Sequence, residues 1–195
     1  SVGRTAVFND SDRSLSHLEA DYRHYFRLGR WSVLGLRTVG IGSLGRDGLE
    51  YNLGGPAWFI PFSPGFNLNV GPLRGFEFSQ FSGSRLLLLN SEIRVPFIRN
   101  IVFGWPGTFA IPAVDGSFFM DVGTAWNDGD ELDLSLHNPH EPFGPADTTK
   151  RLHAGFGFGM LVYFLAPLNF EFARQTDFQG NFSNWNMHFS FGKSF

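Results

Sequence analysis

Arg74 lies in the stretch GPLRGFEFSQF, residues 71–81, among glycines and phenylalanines. A guanidinium in so apolar a setting is either a solvated arginine in an outer loop or a buried cation that something inside the fold receives. Two carboxylates downstream, Glu92 and Asp121, lie on the polar faces of strongly alternating segments. A guanidinium meeting two carboxylates in a narrow, partly dehydrated space makes charge-assisted contacts of defined geometry. Gly71 and Gly75 would let the arginine-bearing loop turn and approach closely. The chemistry of such a group is that of a lock. Other chemical signals are thin. GFGFG at 155–159 lies within a strand pattern with no helix after it, so it is no nucleotide fingerprint; its glycines make room beside a returning loop. His137 and His140 sit in an acidic loop, where a weak cation site or plain solvation are the two readings. There is no HExxH, GxSxG elbow or supported triad. Asn9 and Asn181 fall in sequons, which by themselves carry no weight.

These positions need elements to hold them, and the sequence supplies strands. Polar and apolar residues alternate with period 2, and helical period is hard to find. In residues 17–28, Glu19, Asp21, Arg23 and Arg27 share one face, while Leu18, Ala20, Tyr22, Phe26 and Leu28 share the other. In 85–97, Leu87, Leu89, Ile93, Val95 and Phe97 oppose Asn90, Glu92 and Arg94. In 117–127, Phe118, Met120, Val122 and Trp126 oppose Asp121. Residues 151–164 set Phe156, Phe158, Met160 and Val162 against His153, Gly155, Gly157 and Gly159. In 185–195, Trp185, Met187, Phe189, Phe191 and Phe195 alternate with polar or small residues. The expectation is about seven strands, at 15–28, 31–43, 84–97, 116–127, 150–164, 168–175 and 185–195.

Strand length separates the possible architectures. Globular strands run about 5 to 6 residues, whereas a tilted strand needs about 9 to 11 to cross a bilayer. Several of these segments exceed that length, and their apolar faces are rich in Phe, which contributes 24 residues, as many as Gly. Only 17% of the chain is charged, against about 25% in a typical soluble domain. A mean hydropathy of -0.08 suits a barrel whose strands alternate lipid-facing with lumen-facing residues. No apolar run reaches the roughly 18 residues of a transmembrane helix. The absence of Cys excludes disulfides and thiolate metal sites, and a net charge of -3 gives no reason to expect nucleic acid. The links differ in kind: 28–31 is a tight turn, whereas 44–83 is long and rich in Gly, Pro and aromatics, and 128–149 is long and acidic. Short turns at one end and long loops at the other are the habit of outer-membrane barrels.

Several motifs in order carry a family resemblance: NLGGP at 52–56, LRGF at 73–76, NSEIRVPF at 90–97, FFMDVGTAW at 118–126 and the terminal FSFGKSF. Together they resemble the C-terminal half of the BamA/TamA superfamily of outer-membrane assembly and translocation barrels, the bacterial surface antigen family. The resemblance implies an all-β, antiparallel transmembrane barrel, of which residues 1–195 hold the C-terminal portion, about seven strands of a barrel of about sixteen. It implies that the loop within 44–83 folds into the lumen and presents Leu73, Arg74, Gly75 and Phe76, with Arg74 pairing to Glu92 and Asp121. It also implies that the last strand, with Trp185, Phe189, Phe191 and the terminal Phe195, carries an assembly signal and closes a seam able to open laterally. The stretch between Gly55 and Leu73 departs from the family pattern in being longer and more aromatic.

The implied function is non-enzymatic and uses no cofactor or metal. It is the insertion of outer-membrane proteins, or the translocation of polypeptide, through the seam. The partners implied are outer-membrane lipid, unfolded clients and other subunits of an assembly complex, with no nucleic acid. The same fold could instead serve as a passive channel or as the anchor of an upstream enzyme domain; POTRA repeats or a lipase elbow upstream would separate these readings. A soluble all-β binding domain is the third reading, opposed by Phe-rich faces that would aggregate in water. Seven strands cannot enclose a lumen that also holds a loop, and open edges in lipid cost several kcal/mol per unsatisfied group, so the chain reads as a fragment of a longer protein.

Overall fold

The computed structural model describes residues 5–10, 13–45, 48–56, 69–99, 101–104, 109–111, 113–142, 149–163 and 167–191. In chain order the strands are β1 (Thr5–Asp10), β2 (Arg13–Arg27), β3 (Val33–Leu44), β4 (Tyr51–Leu53), β5 (Asn69–Gly71), β6 (Phe81–Gly83) and β7 (Arg85–Ile98). Then follow β8 (Ile101–Phe103), β9 (Phe109–Ile111), β10 (Val114–Trp126), β11 (Glu131–Leu136), β12 (Thr149–Tyr163), β13 (Pro167–Thr176) and β14 (Asn186–Phe191). No helix occurs among the described residues.

One sheet dominates, in the order β1-β2-β3-β7-β10-β12-β13-β14, and every neighbour on that path is antiparallel. The fold class is therefore the expected one, an antiparallel, partial β-barrel whose sheet is not closed among the described residues. β2, β7, β10 and β12 run 15, 14, 13 and 15 residues, beyond the length needed to cross a bilayer at a tilt. Each expected strand is present to within a few residues, and 192–195, the end of the last one, lies outside the described residues. Not expected were β1, the short β4–β6 sheet in the long loop, the β8–β9 hairpin, and β11, which pairs parallel to the start of β12.

The link 28–32 and the paired ends of β12 and β13, Tyr163 opposite Pro167, lie at one end of the sheet, joined there by the β8–β9 hairpin. At the other end lie the long links 45–84 and 127–148 and the turn 177–185.

The two faces differ as alternation demands. Leu87, Leu89, Ile93, Phe118, Met120, Phe158, Met160, Met187 and Phe189 are exposed on one face. On the other, Arg37, Asn90, Glu92, Asp121, His153, Asn169 and Glu171 are buried. A soluble sandwich would invert this arrangement; a barrel in lipid requires it. The apolar core lies on the inner side, where Tyr51, Leu53, Leu73 and Phe76 of the loop pack against Val39, Ile41, Leu86, Leu88 and Ala125 of the sheet. At the outer end of β7 the run Leu86–Leu89 is thus apolar on both faces, one toward the surroundings and one toward the loop.

Candidate functional site

The loop returns onto the inner face of the sheet and brings Arg74 with it. β4 of the loop pairs with β6 and with β5, and the Gly55 amide donates to the Leu73 carbonyl at 3.2 Å. Gly55 holds φ +84° and Gly75 φ +96°, left-handed conformations that glycine adopts without a Cβ penalty. This places the tetrad Leu73–Phe76 against the middle of the sheet, with Leu73 and Arg74 both wholly buried.

Arg74 is received by three strands. Its Nε and Nη2 donate to Asp121 Oδ2 and Oδ1 at 2.7 and 2.8 Å, a two-pronged pairing, and its backbone N–H donates to Oδ2 at 3.1 Å. Nη1 donates to Glu92 Oε2 at 2.7 Å and to Glu171 Oε1 at 3.3 Å. The Phe119 ring lies under the guanidinium, 3.6 Å from its carbon to the ring centroid. Asn90 ties the group together, since its Nδ2 donates to the Pro72 carbonyl and to Asp121 Oδ1, both at 2.8 Å. Arg94 supplies a second cation, donating from Nε to Glu92 Oε1 at 2.6 Å.

The carboxylates converge because they share the inward parity of adjacent strands. Glu92 faces Phe119 across β7 and β10, and Asp121 faces Gly155 across β10 and β12. Glu171 comes from β13, one strand further on, opposite Gly159 of β12. The intervening strand carries glycine where the loop touches it. A Cβ on Gly155 would stand 1.9 Å from the Arg74 carbonyl oxygen; one on Gly157 would instead meet the neighbouring strands, 1.9 Å from the Phe172 carbonyl oxygen of β13 and 2.9 Å from the Phe119 ring of β10. The next residue of the loop is held by the last two strands, as Gln175 Nε2 and Asn186 Nδ2 donate to the Gly75 carbonyl at 3.0 and 3.2 Å. Phe76 packs edge-on to Phe81 and His153, and His137 reaches the His153 ring from the acidic loop at 5.2 Å. Toward the short-turn end the lumen face continues as a cavity of about 90 Å³ lined by Glu92, Arg94, Asp115, Ser117, Tyr163 and Asn169.

A family comparison bears on this arrangement. The model of the Omp85 superfamily domain matches residues 3–195. The chain belongs to the Omp85 superfamily. No curated protein and no solved structure matches it significantly. Members of the Omp85 superfamily are barrels of protein assembly and transport in the bacterial outer membrane, without enzymatic activity, and they engage outer-membrane protein clients and assembly subunits.

The geometry thus gathers Leu73, Arg74, Gly75, Phe76, Glu92 and Asp121 at one point. Glu171 and Phe119 join them without having been singled out in the sequence; Asn90, expected on the polar face of Glu92, and Gly155, one of the GFGFG glycines expected beside a returning loop, join them too. Glu171 carries a readable signal: Leu168, Phe170 and Phe172 alternate with Asn169, Glu171 and Ala173, which puts the carboxylate inside. The C-terminal aromatics lie elsewhere. Trp185 is 49% exposed and Phe189 48%, packed against Phe158 and Phe170 on the outward face. Phe191 pairs with Leu168 at the end of β14, and Phe195 lies outside the described residues.

Proposed function

We propose that residues 1–195 form one C-terminal barrel segment of a BamA/TamA-type machine, with 44–83 as the loop that enters the lumen. In this reading the barrel inserts outer-membrane proteins, or passes polypeptide, through a lateral seam at its last strand. The partners are outer-membrane lipid, unfolded clients and other assembly subunits. Leu73, Arg74, Gly75, Phe76, Glu92 and Asp121 hold the loop against the lumen wall and so fix the competent form of the barrel. Trp185, Phe189, Phe191 and Phe195 serve as the assembly signal and one side of the seam.

One observation carries this reading: Arg74, wholly buried, meets Asp121, Glu92 and Glu171 from three strands. A passive wall has no need of a loop cation whose burial costs several kcal/mol of desolvation. For the seam, support comes from β14, six residues long and paired with β13 alone among the described strands. An incoming strand could add to such an edge by main-chain hydrogen bonding. The test is complementation by the full-length protein carrying Arg74→Ala or Asp121→Ala. Both variants should reach the membrane but lose function. Normal complementation by both would remove the lock from the mechanism.

A further inference from the structure

The opposite end of the sheet carries arginines of another kind. In the β2–β3 turn, Arg30 places its guanidinium carbon 4.8 Å from the Trp31 ring centroid. Arg99, just past the end of β7, places its own 3.4 Å from the same ring. Arg27, at the end of β2, lines an open cleft of about 410 Å³ with Tyr25, Gly29, Arg30, Trp31 and Ser32. All three arginines are exposed, and none forms an ion pair among the described residues. Asp115, an acidic residue at this end, instead accepts the Tyr163 hydroxyl at 3.0 Å on the lumen side.

The surroundings of the cluster are apolar. Trp31 is 51% exposed, with Leu28, Ile98, Ile101 and Val102 also exposed around the same turns. Trp beside arginine with aliphatic neighbours is the composition of a membrane–water boundary. Arginine clusters at that boundary attract anionic headgroups. The short-turn end of an outer-membrane barrel faces the periplasmic leaflet.

We propose that Arg30, Arg99 and Trp31, with Arg27 beside them, bind the phosphate headgroup of an anionic phospholipid in the periplasmic leaflet. The guanidiniums take the phosphate, and the indole seats the glycerol and upper acyl region. This rests on the outer-membrane placement of the chain. The occupant is a lipid rather than an acidic polypeptide because exposed aliphatic side chains flank the charges.

The test uses the full-length protein in phosphatidylcholine bilayers doped with brominated phosphatidylglycerol or, separately, brominated phosphatidylcholine. Trp31 fluorescence is isolated by subtracting the Trp31→Phe protein. Brominated phosphatidylglycerol should quench Trp31 preferentially. The preference should fall about fivefold for each arginine removed in Arg30→Gln/Arg99→Gln, and Arg30→Lys/Arg99→Lys should keep most of it. Equal quenching by the two lipids, or a preference untouched in the double Gln protein, overturns the proposal. So does displacement of the preference by soluble polyglutamate but not by phosphatidylglycerol vesicles, which would point to an acidic protein partner. Extraction of the wild-type protein from bilayers by urea would sink the membrane placement itself, a failure distinct from those at the headgroup site.

Discussion

Arg74 and the pair Arg30/Arg99 are the same side chain in opposite circumstances. Arg74 has no exposed surface and makes four side-chain hydrogen bonds, to Asp121, Glu92 and Glu171, with the Phe119 ring under its guanidinium. Arg30 and Arg99 lie in the open over an indole, with no carboxylate from the described chain. The difference shows where each charge finds its complement. Arg74 is answered inside the chain, so it contributes to internal order. The rim arginines find their complement outside the chain, so they bear on contacts with the surroundings and leave the fold indifferent to them.

The largest effect should come from cutting the buried side of that contrast. Arg74→Ala takes the cation from buried Asp121 and Glu171 and leaves Glu92 with Arg94 alone; it should destabilise the docked loop by about 3–5 kcal/mol, read as protease cleavage within 45–84 in the folded barrel. Arg30→Ala/Arg99→Ala should leave that cleavage unchanged. Equal sensitivity of the two variants would erase the distinction between them. Gly155→Val should come next, because its Cβ meets the Arg74 carbonyl oxygen at 1.9 Å, a backbone atom with no side-chain freedom to yield. Overpacking of this kind costs about 1–3 kcal/mol, and the same cleavage assay should show the loop displaced although every charge is retained. A protected loop in this variant would mean that the wall gives way readily.

The aromatic partners sharpen the comparison further. Phe119→Leu removes a buried cation–π contact and should cost about 2 kcal/mol in denaturant unfolding, against about 0.5–1 for Trp31→Leu at its exposed site. Finally, Arg85→Ala should change stability by no more than about 1 kcal/mol, because Arg85 and its partner Asp128 are both solvent-accessible. A larger loss would show that the outer rim is more constrained than its exposure suggests.

Much of this is legible in the sequence. Alternation assigned Glu92 and Asp121 to one face because lipid demands apolar side chains on the other, and that demand acts on every spanning strand. The convergence of Glu171 followed the same rule, but 168–175 contains two further inward candidates, Asn169 and Gln175, and alternation does not rank them. What alternation could not convey is the inner apolar core. Leu86 and Leu88 face the lumen and yet are buried, because Tyr51, Leu53, Leu73 and Phe76 cover them. A lumen-facing leucine has no pattern of its own until the covering loop is known. β11 was also hidden, since its parallel pairing to β12 depends on the path of a long acidic loop rather than on local periodicity.

The contacts of residues 74 and 75 span the sequence unevenly. Glu92 lies 18 residues after Arg74 and Asp121 47, but Glu171 lies 97 after it, and the Gln175 and Asn186 contacts to Gly75 lie 100 and 111 after. Contacts of such separation form late, because the loop-closure entropy must be overcome before they exist. The loop can therefore rest on β7 and β10 early but reach its final seat only once the last two strands have joined the sheet. Its seating is a record that the C-terminal strands have arrived: a half-built barrel leaves Gly75 without its last two donors and Arg74 one carboxylate short.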